Sequence, residues 1–219
     1  AQGTVGVFNL SIGDGDGYKV LFKISQRTDW MVDHEGLIGL SLGDLLKIAP
    51  NFMYVLGQIT LMTTVDAEAF KTEDGSRDPF YENVARLTGG IRVPRDVLIS
   101  NLIIPAPDAG TIGDLVWRKC DTSTTEEFEQ MLGPVMVQLF SALTIAQAKN
   151  NFSHNDLHVS NVMVTAVDSA RQNDTNMYIL PGEGGSSRPV VTRQGEYVPV
   201  IIDYGFAYTD EMIGKQWYS

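Results

Sequence analysis

The stretch FSHNDLHVSNVMV, Phe152–Val164, decides how the rest of the chain is read. Between His154 and Asn161 it holds two histidines, one aspartate and two asparagines. An uncharged, mostly apolar segment leads into it and a strand-like apolar run leaves it. Hydrogen-bonding groups set between two pieces of core need partners, because burying an unsatisfied polar group is costly. The question is what those partners are.

Composition narrows the answer. The 219 residues are 43% hydrophobic and 9% aromatic, which suits one large domain or two small lobes and argues against disorder. Sixteen basic and 27 acidic residues give a net charge of −11. An acidic surface of that size disfavours nucleic acid, whose phosphates call for clustered Lys and Arg. Cys120 is the single cysteine, so no internal disulfide and no zinc-type Cys/His spacing exists. It reads as inert, and a lone thiol suits a reducing compartment. The first residues show neither a basic n-region nor an apolar h-region, so no signal peptide is expected. Residues 130–148 carry no charge and approach the length of a membrane span. Polar residues interrupt them, and apolar residues recur at Phe128, Leu132, Val135, Leu139, Leu143 and Ala146 with helical spacing, which predicts a buried helix over 125–149 and no membrane partner.

The start reads as a hairpin: TVGVFNLSI, a GDGDG turn at 13–17, then YKVLFKIS. Residues 28–50 read as one helix capped by Thr28 or Asp29 and stopped by Pro50, with Leu37, Leu40, Leu42, Leu45 and Leu46 as its apolar contacts. Residues 51–62 and 97–105 read as strands, and 63–95 as a polar insertion with a short helix. The connector at 106–110 marks a lobe boundary. After the long helix come strands at 161–167 and 197–202, with a Gly-rich excursion between them flanked by strands at MYIL and PVVT. The order is a strand-rich half with one helix, then a helix-rich half, an α+β arrangement. The ends of two strands of one small sheet would bring Asp156, Asn161 and Asp203 together.

Asp156 and Asp203 lie in loops beside apolar strands, with Asn155 and Asn161 next to one and Gly205 next to the other. A carboxylate that loses water needs a partner, and a divalent cation is a natural one. Carboxylate plus amide oxygen is a hard donor set that suits Mg²⁺ or Mn²⁺ rather than zinc. Mg²⁺ completes its shell with water and substrate phosphates, which points to phosphate chemistry.

These residues resemble a known family. HNDLHVSN resembles the catalytic loop His-x-Asp-Leu-x-x-x-x-Asn of the protein-kinase-like superfamily, and IIDYG resembles its metal-binding Asp-Phe-Gly, with Tyr204 in place of Phe. Either motif alone is weak; together, in this order and each beside a strand, they are specific. The glycine loop laid on residues 1–8 gives Ala1, Gly3, Gly6 and Phe8. Lys23 in VLFKI resembles the strand lysine, and Glu35 the helix glutamate that pairs with it, at a step of twelve residues. The resemblance covers about residues 1–210 and is closest to divergent serine/threonine kinases of large DNA viruses, which share HNDLH, NFMY and a long insertion before IIDFG. Here Asn161 to Asp203 spans 42 residues, which holds such an insertion.

The resemblance implies a two-lobed kinase-like fold. Residues 1–104 would form a small antiparallel-sheet lobe and 105–219 an incomplete helix-rich lobe. It implies ATP beneath Gly3 and Gly6 with Lys23 and Glu35 at its phosphates, Asn161 and Asp203 on Mg²⁺ or Mn²⁺, and Asp156 with His158 as catalytic residues. His154 would be structural. The implied partner is a protein bearing Ser or Thr, in the host cytoplasm or a virion, with a larger assembly open. Each residue also has a plainer reading: Asp156 as a loop cap, Asn161 and Asp203 as turn residues, His158 as a solvated loop residue, Lys23 and Glu35 as exposed charges, Gly3 and Gly6 as ordinary turns. Two departures keep rivals open. His158 stands where protein kinases usually carry Lys, and small-molecule kinases also write DLH. The sequence begins within the glycine loop and runs fourteen residues past Gly205 with no Ala-Pro-Glu, so a catalytically inactive binding or structural module is the alternative.

Overall fold

The computed structural model describes residues 4–10, 18–26, 30–63, 97–105 and 109–210. The chain divides into two compact units, Ala1–Gly36 with Val55–Ala106, and Leu37–Tyr54 with Pro107–Ser219.

In the first unit, β1 (Thr4–Leu10) and β2 (Tyr18–Gln26) form the hairpin that their β-branched and aromatic residues predict, in a register that sets Val5 opposite Lys23. β3 (Gly57–Thr63) and β4 (Val97–Pro105) complete a four-stranded antiparallel sheet in the order β1-β2-β4-β3. Lys23 therefore lies on a central strand, opposite Leu102 on its other side. The turn at 13–17, the insertion expected at 63–95 except Thr63, the 28–29 cap and Gly3 lie outside the described residues.

Two expected elements are shorter than the sequence suggests. The helix is α1 (Trp30–Ser41), not 28–50. At Gly43 the backbone tightens: its N–H donates to Leu40 O at 3.1 Å, and a Cβ added there would sit 3.2 Å from that oxygen. A separate 3₁₀ turn follows at Leu45–Lys47. The leucine spacing persists because Leu42 and Leu45 are buried by tertiary packing rather than on one helix, whereas Leu40 is exposed. Likewise the strand expected from residue 51 starts only at Gly57. Residues 51–53 bond instead to Ile201, within the second unit to which they belong: Ile201 N–H donates to Asn51 O (2.7 Å) and Met53 N–H to Ile201 O (2.8 Å).

The second unit is built on α3 (Thr125–Asn150), preceded by α2 (Ile112–Cys120). Thr124 caps α3 by accepting from Glu127 N–H while the Glu127 carboxylate accepts from Thr124 N–H, and Asn151 ends it in the left-handed region at φ 49°. Of the expected stripe, Val135, Leu139 and Ala146 are buried, whereas Phe128, Leu132 and Leu143 are half-buried; Met131, Ala142 and Ile145 complete the buried face instead. By length and composition α3 could cross a membrane; this stripe packs instead on three strands of the same unit. Gln138, a polar break in the sequence, is buried and donates to Gln194 O at 2.8 Å. Pro134, inside the helix, packs on Gly195 (φ 73°), where a Cβ would lie 3.0 Å from the proline ring.

Two antiparallel ribbons pack on this helix. β5 (Val162–Ala166) pairs with β8 (Tyr197–Ile201), and β6 (Thr175–Pro181) with β7 (Ser187–Arg193). The second ribbon is the insertion between Asn161 and Asp203. It alternates as a half-buried hairpin should, with Tyr178 and Leu180 inward and Met177, Ile179 and Val191 outward.

Candidate active site

The first unit contributes a cation with a buried counter-charge. Glu35, on α1, is 2% exposed. A carboxylate this dry requires compensation, and Lys23 Nζ donates to Glu35 Oε2 at 2.6 Å. The pair fixes the ammonium on the central strand β2. Gly6 sits on the neighbouring strand β1, opposite Phe22.

The second unit brings the two motifs side by side, and its ribbon explains how. In the β5–β8 pair, Val162 lies opposite Ile201. The residues just outside that pair, Asn161 and Ile202, face each other, and Ile202 N–H donates to Asn161 O at 3.0 Å. Asp203 is the next residue, so both motifs emerge from one open ribbon end. The remaining bonds lace the loops together. His154 Nε2 donates to Ile202 O at 2.9 Å, and Asn155 Nδ2 to Phe206 O at 2.9 Å. Ser153 and Tyr208 exchange both backbone bonds, at 3.0 and 2.8 Å. Asp210 closes the far side, its carboxylate held below the usual range first by the Tyr208 hydroxyl and then by the Asn151 amide.

Within this frame the side chains divide by exposure. Phe152, His154 and Tyr204 point inward and meet edge to face, with ring centroids 6.1–6.3 Å apart. The buried Nδ1 of His154 has no hydrogen-bond partner among the described residues. Asp156 and His158 point outward, with side chains 48% and 52% exposed. His158 Nδ1 accepts from Ser160 N–H at 3.2 Å, so Nε2 bears the hydrogen, 4.0 Å from Asp156 Oδ2. A donor and a carboxylate acceptor therefore stand 4.0 Å apart at the surface.

Asn161 is buried, and its Nδ2 donates to Asp156 O at 2.9 Å, which leaves Oδ1 as the acceptor end. Asp203 is half-buried at φ 63°. Asp is among the few non-glycine residues that adopt this region as single residues, as Asn151 and Asn155 also do here. No cluster of three or more His, Cys, Asp or Glu that could hold a metal exists among the described residues, so a zinc-type site is not built here. One amide oxygen and one carboxylate beside an exposed Asp fit a hard cation that keeps water and phosphate ligands. A separate cavity of about 410 Å³, lined among others by Ile48, Gln138, Arg171, Tyr178 and Gln194, contains none of these motif residues.

The structure of a BubR1 kinase domain resembles the chain with a TM-score of 0.52 at 14% identity, covering 99% of this chain and 46% of that one. The fold is kinase-like. Two viral proteins are similar in sequence. Uncharacterized protein 098R of Invertebrate iridescent virus 6 is 24% identical over 216 residues, 89% of this chain and 34% of that protein. Uncharacterized protein 038R of Invertebrate iridescent virus 3 is 26% identical over 199 residues, 91% of this chain and 32% of that protein. The chain spans about a third of the length of these relatives. No protein-family model matches it.

Sequence reasoning missed Asn51, Asn155 and the Tyr204 hydroxyl as organisers of the site. Asn51 bonds to Pro199 O, Asn155 to Phe206 O and the Tyr204 hydroxyl to Met53 N–H, partners 51 to 151 residues away that leave no local pattern. For α2, which was not expected either, a signal existed: Thr111 and Asp114 form a capping box.

Proposed function

We propose that this chain is an ATP-dependent phosphotransferase of viral origin, a serine/threonine protein kinase that acts in the host cytoplasm or the virion. Residues 1–104 would be its nucleotide-side lobe and 105–219 its substrate-side lobe. The observation that carries the reading is the shared ribbon end, where two kinase-like motifs 42 residues apart lie side by side. Gly3 and Gly6 would approach the ATP phosphates with backbone N–H groups, and Lys23, fixed by Glu35, would contact phosphate oxygens. Asn161 Oδ1 and the Asp203 carboxylate would hold Mg²⁺ or Mn²⁺. When bound, the cation supplies neutralisation of charge on the transferring group.

Asp156 orients the acceptor hydroxyl and takes its proton. The acceptor oxygen bonds to the γ-phosphorus as the bond from phosphorus to the ADP oxygen breaks. Catalysis is then mostly positioning and charge stabilisation. His158 supports a second reading. Its Nε2–H is a neutral-type donor where protein kinases usually place a Lys, a choice shared with small-molecule kinases, so hydroxylated small molecules belong in the acceptor screen.

The test is transfer of labelled γ-phosphate to a Ser/Thr protein and to small hydroxylated acceptors. Asp156→Asn should lower turnover by about 10²–10⁴ while nucleotide affinity stays the same. Undiminished turnover in that variant would remove Asp156 as base. A wild-type chain that binds nucleotide and transfers nothing would establish the inactive module instead.

A further inference from the structure

Tyr204 stands where the resembled motif has phenylalanine, and its hydroxyl is fully engaged. The side chain is 0% exposed. Its hydroxyl donates to Ile201 O at 2.9 Å and accepts from Met53 N–H at 2.7 Å. Met53 N–H also donates to Ile201 O at 2.8 Å, so the three groups close a triangle. One side of that triangle runs from Tyr204 back to the carbonyl three residues earlier. It therefore encloses Ile202 and Asp203, and Asp203 is the residue forced to φ 63°.

A second bond set extends the triangle outward. Asn51, 0% exposed, accepts from Ile201 N–H through its backbone oxygen and donates from Nδ2 to Pro199 O at 3.0 Å. Its Oδ1 accepts from the Tyr178 hydroxyl at 3.0 Å. Tyr178 belongs to β6 of the insertion ribbon. Burial pushes its hydroxyl up to about 12, so it remains a donor across the physiological range. The insertion is thus joined by side-chain hydrogen bonds to β8, the strand that leads into Asp203.

We propose that the Tyr204 hydroxyl is a positioning group that holds Asp203 in its left-handed conformation, with Tyr178 of the insertion, acting through Asn51, as the outer tie of the same network. A phenylalanine would keep the ring packing against Phe152 and His154 but not the bond that closes the turn. The functional half of the claim rests on Asp203 as metal ligand; the conformational half does not.

Tyr204→Phe is a mild change, because Met53 N–H and Ile201 O stay bonded to each other and no backbone group is orphaned. Amide hydrogen exchange of the ligand-free chain is the first readout. Exchange at residues 202–206 should rise about fivefold to tenfold in Tyr204→Phe, the loss of one buried hydrogen bond, while α3 stays protected. Tyr178→Phe should act in the same direction and more weakly. The second readout is the Mg²⁺ concentration that half-saturates ATP turnover. It should rise several-fold in Tyr204→Phe with turnover at saturating metal retained and metal-free ATP affinity unchanged. Unchanged exchange at 202–206, or an increase spread equally over α3, overturns the proposal. So does increased exchange with an unmoved metal requirement in an active wild type. Tyr178→Phe matching wild type in both readouts removes the outer tie. A wild type that neither binds nor turns over Mg²⁺·ATP overturns the proposed function, and exchange alone then decides the conformational half.

Discussion

Glu35 is the residue where sequence and physics constrain each other most tightly. At 2% exposure it would be a severe liability without Lys23, whose own side chain is 22% exposed. Removing only the cation takes the counter-charge from a buried carboxylate, whereas removing both charges removes that mismatch. Lys23→Met should therefore destabilise the chain by on the order of 3 kcal/mol in urea unfolding, and Lys23→Met with Glu35→Leu should recover most of that loss. Additive losses in the double variant would show that the pair is not the reason Glu35 tolerates burial. The pairing was implied by the resemblance of Lys23 and Glu35 to the strand lysine and helix glutamate of the kinase-like superfamily, and the ion pair forms. That the loops of Asp156, Asn161 and Asp203 meet was expected from their places at two strand ends, and the bond from Ile202 N–H to Asn161 O joins those ends. The Tyr204 hydroxyl was not: its Met53 partner is 151 residues away and is a backbone atom that any residue would supply.

At the scale of elements, what could be read depended on whether the stabilising contact is local. The β1–β2 hairpin and α3 follow from alternation and helical spacing, and α3 ends within one residue of its expected boundary. α1 was overextended because its leucine spacing continues into a tight turn, and residues 51–53 were assigned to a strand although they bond to β8. The start of α3 gives a pH prediction. Bonds from the Thr124 backbone and hydroxyl hold the Glu127 carboxyl below its ordinary 4.5. A group depressed in the folded state contributes stability that is fully present above 4.5 and is lost as pH falls through the lowered folded value. Thr124→Ala should lower the melting temperature by about 2–4 °C at neutral pH. Between pH 5 and 3 its gap to wild type should narrow; a constant gap would mean that the carboxylate plays no part in the cap.

At the scale of the whole molecule, the charge balance sets how a polyanion can bind. The chain carries −11 overall, so ATP approaching it meets net repulsion, and under the proposed function Lys23 and a bound cation would offset it. Two consequences distinguish this from a basic nucleotide binder. Mg²⁺·ATP at about 100 times its Kd should raise stability by roughly 2.7 kcal/mol, and chelation of the metal should remove most of that gain. Raising monovalent salt from low to physiological strength should speed association rather than slow it, because the Debye length shrinks to about 8 Å and screens the repulsion. Asp203→Asn should lose the metal-dependent part of the stabilisation, and Lys23→Met should weaken binding with and without metal. If stabilisation is the same with Mg²⁺ and with chelator, the Asn161–Asp203 end of the ribbon does not hold a cation, and the phosphate chemistry assigned to it fails however closely the fold follows a kinase.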